Sequence, residues 1–315
     1  MPDLDIFQLT QRPDTQLFYK RGDANDPRLG EIVQVEQASY ADASVVILGC
    51  PQDEGVKRNQ GRAGADRAPD EIRRCLYRLA AQDEFKGKLF DLGNTVIGGT
   101  LEETHATQRE IVRHVLLDGK QLIVLGGGND LAYPDCAGLA LAAEKIAAFN
   151  IDAHFDVRAD TPCNSGTPYR QLLEEGLLAP EHFYEIGNVP FGNSPVYRRY
   201  LQEKGAYVYG YAELQEIGLE TLFRSLLHEE TAEALFWGFD LDVVCAADAP
   251  GVSAPNPVGL SGNEFCQIAT LAGEDRRTRL VEFTEVNPAY DVDQRTCRLT
   301  AAAIYYFLLG ALQND

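Results

Sequence analysis

Basic side chains are scarce in this sequence. Against 48 Asp and Glu there are 28 Lys and Arg, a formal net charge of 28 − 48 = −20. Such an acidic surface repels phosphates, which argues against nucleic acid or a membrane surface as partner. Long apolar runs are missing too, since Gln121–Leu125 and its flank fall far short of a membrane span. The opening residues Met1-Pro2-Asp3-Leu4-Asp5 have neither the basic start nor the apolar stretch of a secretory leader, so a cytoplasmic location is expected. No CxxC pair occurs among the seven cysteines, at 50, 75, 136, 163, 245, 266 and 297. That pattern is no disulfide framework and reads as reduced, buried small side chains, Cys245 included. Repeats and low-complexity linkers are absent. The Gly126–Gly128 run lacks both the Lys of a P-loop and the GxGxxG spacing, so a phosphate cradle is disfavoured.

What remains is an ordinary globular mixture, 45% hydrophobic and 24% charged over 315 residues. The first forty residues are polar and irregular, a strap (1–40) belonging to the same domain as residues 41–315. Beyond it, apolar β-rich runs alternate with helix-like segments. The runs are Ser44–Gly49, Leu89–Ile97, Gln121–Leu125, Lys145–Asp152, His182–Gly187, Ala206–Tyr209, Ala234–Asp240 and Arg279–Glu285. Helices are expected over Ala68–Ala80, Leu101–Leu117 and Thr221–His228, among others. Strands apolar on both faces, separated by amphipathic helices, make a parallel sheet covered on both sides. The expected fold is a single doubly wound α/β domain, its sheet mostly parallel with helices on both faces.

Chemistry concentrates where those runs end, the edge at which open parallel sheets bind ligands. The Gln121 run leads into Asn129-Asp130, the Lys145 run into Asp152-Ala153-His154-Phe155-Asp156-Val157-Arg158, the Ala234 run into Asp240-Leu241-Asp242, and the last into Glu285-Val286-Asn287-Pro288. If the backbone stays extended, alternation sends Asp152, His154 and Asp156 to one side, as it does Asp240 and Asp242. Four carboxylates converging with one imidazole cannot share a small space unpaired, and a divalent cation is the obvious counterion. Carboxylate-rich ligation without thiolate suits Mn2+ better than structural zinc. There are enough ligands for two ions, which would hold a hydroxide nucleophile at neutral pH. Among the five histidines, His105, His114 and His228 sit in polar helical segments and are expected to be solvated. His182, at the head of a strand, reads as structural.

These signatures, DAHxDxR and DxD in that order, resemble the arginase or ureohydrolase superfamily of dinuclear manganese hydrolases. The likeness runs from about Tyr19 to Leu309 and is nearest to the formimidoylglutamase branch. The stretches Gly49–Val56, Asn59–Ala65, Asn164–Arg170, Ala249–Pro255 and Glu285–Thr296 carry the branch assignment. The resemblance implies that Asp152, His154, Asp156, Asp240 and Asp242 are metal ligands, with Asp152 and Asp240 bridging. It makes Glu285 the acid that receives an amidine or guanidine group and Asp156 the carrier of a proton to the departing nitrogen. It also implies a homo-oligomer. The family usually has His where this chain has Asn129. An amide oxygen is a weaker donor, so one of the two Mn2+ sites is expected to bind weakly.

The implied reaction is hydrolysis of N-formimidoyl-L-glutamate to L-glutamate and formamide, a step of histidine breakdown, by attack of metal-bound hydroxide on the amidine carbon. That substrate carries two carboxylates, which an acidic protein must meet with local cations. Arg170 is the first candidate, with Arg158 and Arg62 behind it. Two other readings stand beside this one. The first is a guanidine hydrolase of the agmatinase or guanidinobutyrase type. The second is a metal-poor, non-catalytic paralogue, which rests on Asn129 alone.

Overall fold

The computed structural model of the chain describes residues 5–312. The leader reading of Met1–Leu4 lies outside them. The strands are β1 (Thr10–Gln11), β2 (Val45–Gly49), β3 (Leu89–Thr95), β4 (Gln121–Leu125), β5 (Ile146–Ile151), β6 (Phe183–Asn188), β7 (Tyr207–Gly210), β8 (Ala234–Asp240) and β9 (Thr278–Thr284). They form one sheet in the order β1-β3-β2-β4-β9-β8-β5-β6-β7. Every pairing is parallel except the edge contact of β1 with β3. The expected doubly wound, mostly parallel α/β sheet is what the chain forms.

Alternation within the strands splits the core in two. Val45, Ile47, Ile123, Leu125, Trp237, Phe239, Val281 and Phe283 pack on one face, against helices that include Ala68–Leu76, Leu219–Glu229, Gly262–Glu274 and Arg295–Leu312. Val46, Leu48, Leu122, Val124, Phe236 and Leu280 pack on the other, against Leu101–Leu117, Ala132–Ala140 and Pro168–Glu174. On the first face Tyr184, Phe149 and Trp237 stack across β6, β5 and β8 at centroid distances of 4.5 and 4.4 Å, each pair contributing about 1 kcal/mol beyond its buried area.

Boundaries shift where tertiary partners intervene. The helix expected over Ala68–Ala80 stops at Leu76, because the strap takes the carbonyls beyond it: Gly30 and Leu29 donate their N–H groups to Tyr77 and Leu79. The strand expected to reach Ile97 ends at Thr95, and Val96 and Ile97 stand exposed. The last strand ends one residue early, since Glu285 adopts φ +62° and leaves the pleat. The strap (1–40) supplies β1, and its Leu17 and Leu29 are buried in the first core layer. No helix among the described residues is long and apolar enough to cross a membrane.

Candidate active site

The carboxyl ends of β4, β9, β8 and β5 stand side by side at the middle of the sheet. Each projects polar residues into a cavity of about 260 Å³, lined in part by Asn129, His154, Asp156, Asp240, Asp242 and Glu285. The expected convergence is present, but its cause differs from the expectation. The backbone does not stay extended. After Ile151 the chain leaves β5 and turns: Asp152 accepts the His154 N–H through Oδ1 at 2.7 Å, and Asn193 Oδ1 accepts the Phe155 N–H at 3.0 Å. Asp156 reaches the cavity from the left-handed region, φ +46°, which costs on the order of 1 kcal/mol. After β8, Leu241–Val243 forms a single helical turn in which Asp240 Oδ1 accepts the Asp242 N–H at 2.8 Å. Turns, not pleat alternation, gather these acids.

The Gly126–Gly128 run serves approach, not phosphate. Gly126 and Gly128 donate their N–H groups to the Phe283 and Gln52 carbonyls. At Gly127 a Cβ would meet the Gln52 carbonyl oxygen at 1.6 Å, so only glycine lets this loop press against the next one.

Two overlapping groups of side chains offer ligand atoms within 4.8 Å of one another: Asp152, His154 and Asp242, and Asp152, Asp156 and Asp240. Asp152, Asp240, Asp242 and Glu285 are buried. Burial, then neighbouring like charge, pushes the Asp240 carboxyl well above its usual range. Asp152 and Asp156 move the same way, burial again leading. Burial lifts Glu285 to about 7, against hydrogen bonds from Ser253 and the Asn129 N–H. His154 is pushed up to about 12, first by the charge of Asp242, whose Oδ2 lies 3.0 Å from its Nδ1. Asp242 Oδ1, also buried, has no partner. An anionic cluster that holds one imidazole charged and still leaves an oxygen orphaned fits a multivalent cation.

Asn129 joins the cluster in a particular orientation. Its amide nitrogen donates to Asp156 Oδ2 at 2.7 Å and to Asp152 Oδ2 at 3.2 Å, while its Oδ1 accepts from Thr284 Oγ1 at 2.9 Å. Its backbone N–H binds Glu285 Oε1 at 2.8 Å.

The arginines depart from expectation. Arg170, the first candidate for the substrate's carboxylates, does not line the cavity. Its Nε donates to the Val157 carbonyl at 2.7 Å and its guanidinium lies 3.9 Å over the Tyr200 ring, because helix Pro168–Glu174 carries it to the far side of the loop. Arg62 binds the Val252 and Ser253 carbonyls and stacks on Tyr290, tying loops together outside the cavity. Arg158 is the arginine that does line it, with Nη1 donating to Asn59 Oδ1 at 3.0 Å.

Two other expectations fail. His105 is buried, not solvated: its Nε2 lies 2.7 Å from Asp130 Oδ2, which also accepts from Gln52 Nε2 at 2.8 Å. The signal was available, since His105 falls on the face of its helix that Leu101, Ile111, Val112 and Val115 turn to the core. His114 is half-buried, while His228 is exposed as expected. Five cysteines are buried, but Cys163 and Cys245 are half-buried.

A parallel α/β sheet with buried aspartates at the ends of its central strands defines the class: an α/β scaffold whose acid cluster could hold metal ions. The Arginase family model matches residues 43–310, and the chain belongs to that family. A formimidoylglutamase of Paraburkholderia xenovorans is 34% identical over 282 residues, covering 84% of this chain and 87% of its own. The crystal structure of Trypanosoma cruzi formiminoglutamase with Mn2+ superposes at a TM-score of 0.85 with 32% identity, over 90% of this chain and 98% of that one. A formimidoylglutamase from Bacillus subtilis shares the fold at a TM-score of 0.86 with 23% identity, over 96% and 98% of the two chains.

Proposed function

We propose that this protein hydrolyses N-formimidoyl-L-glutamate to L-glutamate and formamide with manganese bound at the acid cluster. Asp152, His154, Asp156, Asp240 and Asp242 would hold the metal, at two sites, with Asn129 beside the weaker one. Manganese bound there supplies a Lewis acid that makes water nucleophilic near neutral pH. The observation that carries the substrate assignment is the position of Arg158, a guanidinium in the same cavity as Glu285. A substrate with an amidinium at one end and carboxylates at the other meets a carboxylate and a guanidinium in that order.

The chain's own groups divide the work. Glu285, anchored by the Asn129 N–H, orients the amidinium and exposes its carbon to attack. Arg158 fixes a carboxylate, which holds the reacting carbon in place. Asp156, which lines the same cavity, would take the proton that the attacking water gives up and pass it to the glutamate nitrogen, which leaves poorly unless protonated. Water adds across the amidine C–N bond, and the nitrogen departs as the amino group of glutamate. Related proteins named formimidoylglutamase, aligned over most of this chain, support the reading.

The test is product analysis with added Mn2+. Formamide and glutamate released from formimidoylglutamate, with no urea from agmatine, 4-guanidinobutanoate or arginine, is the expected result. Urea from a guanidine would move the assignment to an agmatinase or guanidinobutyrase type. No turnover on any of them at saturating Mn2+ would mark a non-catalytic paralogue.

A further inference from the structure

A second cavity, of about 570 Å³, lies between the strap, the C-terminal end of helix Ala68–Leu76 and the first turns of helix Arg295–Leu312. It shares no residue with the acid cavity. Its walls carry Arg74, Arg78 and Arg298 together with Tyr19, Gln16 and Gln294, and no carboxylate lines it. In a chain of net charge −20 this is an inversion of the local field.

The three cations are only partly explained by the fold. Arg74 pairs with Glu71 at 3.3 Å and belongs to the last turn of its helix, where a positive charge is favoured. Arg78 lies 4.5 Å over the Tyr19 ring. Among the described residues neither Arg78 nor Arg298 pairs with a carboxylate. Arg298 stands in the first turn of an 18-residue helix, the end at which the helix dipole repels a cation. Burial pushes the nearby Cys75 thiol up to about 11; Arg298 and Arg78 pull it down, and Glu71 and Asp291 push it up. Arg78, just past the first helix, and Arg298, on the second, repel each other and Arg74 unless an anion joins them. Gln16 adds an amide at the same mouth, where Gln294 Nε2 donates to Glu71 Oε2 at 3.4 Å.

We propose that this cavity binds a small multivalent anion, a tetrahedral oxyanion or a dicarboxylate, between Arg74, Arg78 and Arg298. Guanidinium forks match both shapes. The site is separate from the acid cluster and takes ligand of the opposite sign.

Titration calorimetry on the full-length, Mn2+-loaded protein tests it, with sulfate and succinate as probes at constant ionic strength set by NaCl. Saturable one-to-one binding of either probe is expected, weakened at least about tenfold in the R78Q/R298Q double variant. Tighter sulfate assigns a tetrahedral oxyanion and tighter succinate a dicarboxylate. Both arginines are exposed. Should the double variant melt early, the R298Q single variant carries the same comparison with a smaller loss. Binding of equal strength in wild type and variant, or no saturable binding of either probe, overturns the proposal.

Discussion

Asn129 meets Asp156 through its amide nitrogen, at 2.7 Å, and turns its carbonyl oxygen to the Thr284 hydroxyl. The donor therefore stands where a cation would compete for the same carboxylate, and the oxygen that could serve as a ligand is engaged elsewhere. An Asn129→His substitution would supply an imidazole and remove that competing donor. Manganese affinity measured by equilibrium dialysis should rise by about tenfold or more. Unchanged affinity would mean that position 129 takes no part in metal binding.

Glu285 is buried and held by the Asn129 N–H, so Glu285→Gln keeps the shape of the side chain while removing its charge. Turnover should fall at least about 100-fold, with manganese content unchanged by elemental analysis. Intact turnover would remove Glu285 from the reaction.

Arg158→Gln should raise KM by roughly tenfold or more with little change in kcat, because a carboxylate contact is made in ground and transition states alike. Arg170→Gln should leave both constants near wild type, given that its guanidinium is stacked on Tyr200. Steady-state kinetics on the two variants separates these positions, and a larger effect at Arg170 would return it to the substrate site.

The pH dependence of the metal-free protein has a definite sign. Glu285 binds its proton up to about pH 7 when folded, against an ordinary value of 4.5. Between those values the native state holds more protons than the unfolded chain, so stability falls as pH rises. The raised aspartates act in the same direction. His154, raised from 6.5 to about 12, contributes stability that is complete below 6.5 and declines above it. The melting temperature without metal should therefore drop from pH 5 toward pH 8, as scanning calorimetry would record. Added Mn2+ should reverse the slope, since its binding displaces those protons. A metal-free protein that gains stability over that range would contradict the electrostatic reading.

Away from the site, Arg73 and Asp91 form a fully buried pair, with Nε and Nη2 bonded to the two carboxylate oxygens at 2.8 and 2.9 Å. Asp91→Asn leaves that guanidinium without its buried countercharge, with only the half-exposed Asp70 at 3.5 Å, and should cost about 3–5 kcal/mol in urea unfolding. A change near zero would mean the pair contributes nothing net.

The strands were legible because burial on both faces leaves an apolar run that few other structures produce; β1 was not, since Thr10 and Gln11 are polar and ordered only by pairing with β3. Asp152, Asp240 and Glu285 could be read as a group because each ends or follows a strand, and parallel strands end together. The arginines resisted because their reach depends on loop paths that composition does not encode. Arg158 lies in the loop after β5 and Arg170 in the helix that follows it, yet only Arg158 lines the acid cavity. His105 could have been placed from its helical stripe. Its partner Asp130 could not, since that contact joins a helix to a strand end through the folded core.

Manganese anomalous scattering from crystals grown in excess Mn2+ tests the acid cluster as a metal site without relying on any assay. Strong peaks are expected, enclosed by Asp152, His154, Asp156, Asp240 and Asp242, with the occupancy nearest Asn129 lower. An absence of peaks there, with those carboxylates swung apart into solvent, would contradict that expectation.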